Sequence, residues 1–230
     1  MHLLQTQPEI LISSKSTPLY PEHSVITPSL MNNQMKDQTQ FSAWLDQKTE
    51  AQKVDWLILH FNQWFSYSNV ILLRGEHEPE YFPACDDAPA RIQFAHGFFN
   101  SALHEISHWC IAGQQRRTLP DLGYWYAPDG RNQEQQALFE HVEIKPQAIE
   151  WLFSQAFARK FRVSLDNLNG DGGNGETFKD NVYAQVQQFF DAKAKLPQDA
   201  LYLIQRICAC TRNGRPLYRD EFCREQLDAF

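Results

Sequence analysis

Several features that define whole classes of protein are absent from this 230-residue sequence. No run of 18 apolar residues occurs, so the sequence predicts no transmembrane helix. The first residues lack a basic start followed by a long apolar stretch, and a secretory signal is therefore not expected. Positive charge is also scarce, because 21 Lys and Arg face 28 Asp and Glu and give a net charge of −7. This balance argues against a general nucleic-acid-binding protein.

The cysteines form neither a disulfide framework nor a zinc knuckle. There are 5 of them, an odd number, and no two are spaced as CxxC. Disulfide frameworks are typical of short secreted chains that carry an even set of cysteines. We therefore expect reduced thiols and a cytoplasmic location.

Apolar and aromatic residues are plentiful over most of the chain, at 43% and 13% of all residues, which is enough for a hydrophobic core. Residues 1–40 differ, since they are rich in Gln, Ser, Thr, Asn and Pro and nearly free of aromatics. Such a segment cannot bury enough surface to offset its ordering entropy. The sequence therefore predicts a flexible N-terminal arm over 1–40 that adds nothing to stability, and a single domain over 41–230.

Hydrophobic periodicity predicts helices around a few short strands. Apolar residues recur with helical spacing over 41–65, 133–159 (interrupted at Pro146), 177–193 and 198–209. Short extended segments bounded by turn residues lie at 69–74, 81–83, 91–94 and 123–130. Helices packed against a small mixed β-sheet belong to the α+β class, which is the predicted fold class.

One motif carries metal-binding chemistry. Residues 104–108 read His-Glu-Ile-Ser-His, the pattern HExxH, on a predicted helix that ends near Gly113. On a helix, His104 and His108 lie one turn apart on the same face, which suits two ligands of one cation. By composition alone this pattern is expected roughly 0.02 times in such a chain, so we interpret the two histidines as metal ligands.

A third protein ligand is expected from residues 133–151, a predicted helix rich in carboxylates. Glu143 is favoured because it lies between the apolar Val142 and Ile144, where an unpaired carboxylate is costly to bury. Glu140, one turn away, is the alternative third ligand, or it holds a ligand in place. Other potential ligands in the segment are Glu134, His141 and Glu150.

Two histidines and one carboxylate with open coordination positions serve two kinds of chemistry, hydrolysis by zinc and O2 activation by non-haem Fe(II). The first reading is a zinc metallopeptidase of the HExxH plus distal Glu type, in which Glu105 would be the general base. A metal-stabilised binding module without catalytic activity has the same ligand types. The ligand residue types alone therefore leave the reaction open.

Longer motifs resemble a known family. Residues 104–113, 123–131 and 139–148 are similar to the bacterial elongation factor P hydroxylase family, and residues 166–171 add a weaker match. The resemblance extends over roughly residues 55 to 190. The N-terminal extension lies outside the family pattern.

The resemblance implies a cytoplasmic hydroxylase domain that acts on the β-lysylated lysine of elongation factor P. It implies an Fe(II) site with O2 as co-substrate and His104, His108 and Glu143 as ligands; zinc could occupy this site in the purified protein. The implied partner is elongation factor P carrying a lysyl-lysine, with no nucleic acid and no membrane. Glu105 would then orient bound water or a ligand, because a hydroxylase needs no general base. The expected architecture is a zincin-like core in which helices carry the HExxH site.

Overall fold

The computed structural model describes residues 17–20, 38–123, 131–164 and 175–228 of the chain. Within these ranges the helices are α1 (Gln38–Asp46), α2 (Glu50–Trp64), α3 (Phe99–Arg116), α4 (Gln133–Ala156), α5 (Gly175–Phe190) and α6 (Gln198–Thr211). The strands are β1 (Val70–Arg74), β2 (Glu80–Phe82) and β3 (Ala90–Phe94). None of these helices combines the length and apolar character that a membrane span requires. The helix-rich architecture with a small sheet confirms the predicted α+β class.

The three strands form a mixed sheet in the order β1-β3-β2, with β1 parallel and β2 antiparallel to β3. At each outer edge, one side chain is hydrogen-bonded to the strand backbone. Asn62 forms two hydrogen bonds with the backbone of Leu72, at 2.7 and 3.2 Å, and Asp121 accepts one from the backbone N–H of Tyr81 at 3.0 Å. These contacts satisfy edge groups that could otherwise pair with another chain. The fourth predicted strand falls mostly on residues 124–130, outside the described residues.

Capping interactions fix where the helices begin. Thr49 and Asn132 each form a capping box, at the starts of α2 and α4. The first N–H of α3, that of Phe99, donates instead to the carboxylate of Glu50 at 3.1 Å. A negative charge at a helix N-terminus is favourable, and Arg159 contacts the same carboxylate at 3.4 Å. The start of the HExxH helix is therefore fixed by a side chain of α2.

Two residues were expected to break helices, and only Gly113 does so. Its positive φ of 68° is non-helical, so the regular part of α3 ends there as expected, and one further turn leads to Arg116. Pro146 lies inside α4, which continues unbroken to Ala156, so the predicted interruption is wrong. Proline removes one helical hydrogen bond. Residues 146–154 are all buried, and this tertiary packing offsets the local cost.

The hydrophobic core surrounds α3, which packs against β3, α2, α4 and α6. Aromatic rings fill much of this space, and the largest fully buried side chains include Trp109, Phe61, Phe65, Phe94, Phe99, Phe153 and Phe157. The HExxH helix is therefore held on several sides, which limits how far its side chains can shift.

Four residues of the predicted arm, 17–20, contact the C-terminal part of the domain. The backbone N–H of Leu19 donates to the carbonyl of Leu217 at 2.8 Å. The backbone N–H of Arg219 donates to the carbonyl of Thr17 at 3.0 Å. Tyr20 is only 6% exposed, and burial raises the pKa of its phenol. These residues thus differ from the expectation of an arm without stabilising contacts.

We expect Tyr20→Ala to lower the free energy of unfolding by about 2 to 4 kcal/mol, because it removes a buried aromatic ring. Denaturant unfolding measures this change. The control is Leu59→Ala, since the Leu59 side chain is 64% exposed and its removal should change stability by less than about 0.5 kcal/mol. A Tyr20→Ala value as small as the control would mean that the contact of Tyr20 adds no measurable stability. Residues 1–16 and 21–37 lie outside the described residues, so the boundary between arm and domain stays a prediction.

Candidate metal centre

Helices α3 and α4 bring the predicted ligands together. His104 and His108 lie one turn apart on α3, and Glu143 on α4 is only 2% exposed. His104 Nε2 lies 3.1 Å from His108 Nε2 and 3.5 Å from Glu143 Oε2. His108 Nε2 lies 3.2 Å from Glu143 Oε1. No other group of three His, Cys, Asp or Glu side chains converges in this way in the described part of the chain.

The spacing of these atoms fits one metal ion. Metal–ligand bonds of about 2.1 Å place neighbouring ligand atoms about 3.0 to 3.4 Å apart in octahedral and tetrahedral sites. Glu143 Oε2 is buried and has no hydrogen-bond partner in the described part of the chain, a costly state that a cation would relieve. Zinc and non-haem iron both bind this set of donor atoms at similar bond lengths. The distances therefore favour neither metal.

Glu140, the alternative third ligand, has different partners. Its side chain is half-buried, and its Oε1 accepts a hydrogen bond from Gln136 Nε2 at 3.1 Å. Gln136 Oε1 in turn accepts one from Arg131 Nε at 3.0 Å. Glu140 lies outside the converging group. The geometry therefore favours Glu143, whose role as a ligand stays a prediction.

Glu150, one of the remaining potential ligands, contacts His104 on the side of the ring that faces away from Glu143. Its Oε2 lies 2.9 Å from His104 Nδ1, and the residue is 7% exposed. Glu150 follows Glu143 by seven residues, or two turns, so both project from one face of α4. This spacing is the sequence signal that could have identified the pair. Glu134 and His141 are exposed.

The buried groups shift one another's pKa in the metal-free site. Burial disfavours the charged form of His104, but its hydrogen bond to Glu150 and the charge of Glu143 outweigh burial and raise the pKa of His104 to about 10. Burial also works against ionised Glu143, but the charges of His108 and His104 and the hydrogen bond from His108 lower the pKa of Glu143 to about 2. The buried carboxylate is thus stabilised by positive charge, which a bound metal would also supply.

Glu105 lies beside the ligands on α3 but outside the converging group. It is half-buried, and its carboxylate has no hydrogen-bond partner among the described residues. Burial raises the pKa of Glu105, against the opposing charges of His104 and His108. Its carboxylate is therefore available to a water or a ligand, and its catalytic role stays a prediction.

Comparison with known proteins identifies the family. The model of the elongation factor P hydroxylase family matches residues 60–222, which include the whole of α3 and α4. A curated relative, the elongation factor P lysine hydroxylase of Haemophilus influenzae, is 47% identical over 159 residues. The alignment covers 68% of this chain and 88% of that protein. These matches confirm the resemblance found in the sequence, and the chain belongs to the elongation factor P hydroxylase family.

Proposed function

We propose that this chain is a metal-dependent hydroxylase of the β-lysylated lysine of elongation factor P. Family membership supports the reaction, and the name of the Haemophilus relative supports a lysine of elongation factor P as the substrate. The convergence of His104, His108 and Glu143 is the observation that carries the metal-dependent part of the proposal. A substrate that is a translation factor is in keeping with a cytoplasmic location.

The proposed metal is Fe(II), bound by His104 Nε2, His108 Nε2 and the carboxylate of Glu143. Bound there, Fe(II) would supply the oxidative chemistry by which O2, two electrons from a reductant and two protons convert a C–H bond to C–OH and form one water. Zinc would bind the same side chains in protein purified without added iron.

The protein itself contributes a rigid frame for the reaction. Gln147 lies one turn after Glu143 and forms two hydrogen bonds with the backbone of Ser164, at 2.7 and 2.9 Å. These bonds hold α4 in place next to the proposed third ligand, and catalysis requires such fixed positions. Glu105 has the proposed role of orienting a bound water or a ligand. A zincin-like core, in which the HExxH helix packs beside the mixed sheet, is part of the same proposal.

Mass spectrometry of the substrate tests the reaction. Full-length protein loaded anaerobically with Fe(II) is incubated with β-lysylated elongation factor P, a reductant and O2. We expect the modified lysine to gain the mass of one oxygen atom, and expect removal of the metal with a chelator to abolish this gain. Metal-dependent cleavage of peptides without the mass gain would favour the zinc metallopeptidase instead.

We expect Glu143→Ala to lose bound metal and hydroxylation, and Glu140→Ala to keep most of both. The reason is that Glu143 belongs to the converging group, whereas Glu140 is hydrogen-bonded to Gln136. Elemental analysis of anaerobically purified variants measures the metal. His104→Ala and His108→Ala should also lose it while keeping the helical circular dichroism spectrum. The opposite ranking of the two glutamate variants would show that Glu140 is the third ligand.

The substitution Glu105→Gln distinguishes peptide hydrolysis from hydroxylation. In a peptidase this substitution removes the general base, a loss of about 10²- to 10⁴-fold in rate. In the proposed hydroxylase no base is needed, so we expect the variant to bind metal and to retain its hydroxylation rate within about tenfold. The measurement is kcat at saturating elongation factor P, with metal content determined in parallel. A loss of 10²-fold or more at full metal content would contradict the proposed role of Glu105.

A further inference from the structure

The two ring nitrogens of His104 have different environments. Nε2 faces His108 and Glu143, whereas Nδ1 lies 2.9 Å from Glu150 Oε2. The two nitrogens of an imidazole direct their lone pairs away from each other. Glu150 therefore cannot share a metal ion with Nε2 of the same ring, and it lies outside the converging group.

We infer that Glu150 is a positioning residue that prepares His104 to bind the metal. A neutral imidazole carries one N–H, and a carboxylate at Nδ1 keeps the proton there and leaves the Nε2 lone pair free. The same hydrogen bond fixes the orientation of the ring and increases its basicity. This inference rests on the proposed metal centre and goes beyond it by giving a role to a carboxylate that is not a ligand.

The charges of the buried groups support this role. Two neutral histidines and ionised Glu143 balance only one of the two positive charges of a divalent metal. A carboxylate at Glu150 would supply a second negative charge beside a bound cation, which would reduce the cost of holding that cation in a buried site. In the described part of the chain, the ion-pair partner of Glu150 is His104. No described lysine or arginine therefore competes for this carboxylate.

The position of Glu150 on α4 makes the arrangement rigid. Glu143 and Glu150 lie two turns apart on one continuous helix, and each contacts a different edge of the His104 ring. Gln147, between them, is fixed to the backbone of Ser164. One buried helix face thus holds the ring from both sides.

Binding of Co(II) to the metal-free full-length protein tests the inference. Glu150→Ala removes the acceptor, and we expect it to weaken Co(II) binding 10- to 100-fold, the range for partners of metal-binding histidines. Glu150→Gln keeps a neutral acceptor and should weaken binding by about tenfold. Glu140→Gln, a matched change one turn before Glu143, should bind as the wild type does. Competition with a chelator gives the affinities, and the visible absorption of bound Co(II) reports the ligand environment.

The gain in melting temperature on Co(II) binding, measured against each metal-free variant, distinguishes positioning from a general structural role. Metal-free Glu150→Ala should melt below the metal-free wild type, because it removes the hydrogen-bond partner of buried His104, whereas Glu150→Gln keeps an acceptor and should melt closer to the wild type. Both variants should gain less stability from Co(II) than the wild type does. Wild-type affinity in Glu150→Ala would overturn the inference. So would a loss of affinity that Glu140→Gln shares, or a stability gain from Co(II) that is as large in Glu150→Gln as in the wild type. A wild-type protein that binds no Co(II) would contradict the metal centre itself and, with it, this inference.

Discussion

Helices α3 and α4 bury a carboxylate between two imidazoles, and much of the surrounding structure serves to keep that contact in register. Glu143 is almost fully buried, and an ionised carboxylate in such a place requires positive charge close by. His104 and His108 contact Glu143 only if α3 and α4 do not slide along each other. Glu50 fixes the first turn of α3, and Asn132 fixes the first turn of α4. The packing of β3 and α6 on α3 then leaves little room for the helix to slide.

The interior face of α4 is unusual because polar side chains recur along it at helical spacing. The buried polar residues on this helix are Gln136, Glu143, Gln147, Glu150 and Ser154. A face of this kind costs stability unless its groups find partners. Gln147 and Glu150 have hydrogen-bond partners, whereas Glu143 Oε2 and Ser154 Oγ have none among the described residues. The unsatisfied carboxylate oxygen therefore lies beside the two histidines, where a metal ion is proposed to bind.

Local patterns predicted the helices, the three described strands and the HExxH pair, because each depends on residues close together in the sequence. The continuity of α4 through Pro146 could not be predicted in this way, since it depends on burial by other elements. The anchoring of Tyr20 was hidden by the polar composition around it. Glu150 was recognised only as a potential ligand, because spacing places a carboxylate on a helix face but does not show which ring nitrogen it contacts. Strand order β1-β3-β2 likewise requires the tertiary structure.

Hydrolysis and hydroxylation can use the same metal ligands. The two reactions differ in the groups that they require around those ligands. Hydrolysis requires a base next to a metal-bound water, and Glu105 on the HExxH helix is the side chain that would supply it. Hydroxylation requires O2, electrons and a substrate carbon held close to the metal, and it requires no base. The motif and the distances between ligand atoms are therefore compatible with both reactions. Membership of the elongation factor P hydroxylase family favours oxidation. The family match extends over residues 60–222, whereas the HExxH motif is only five residues long.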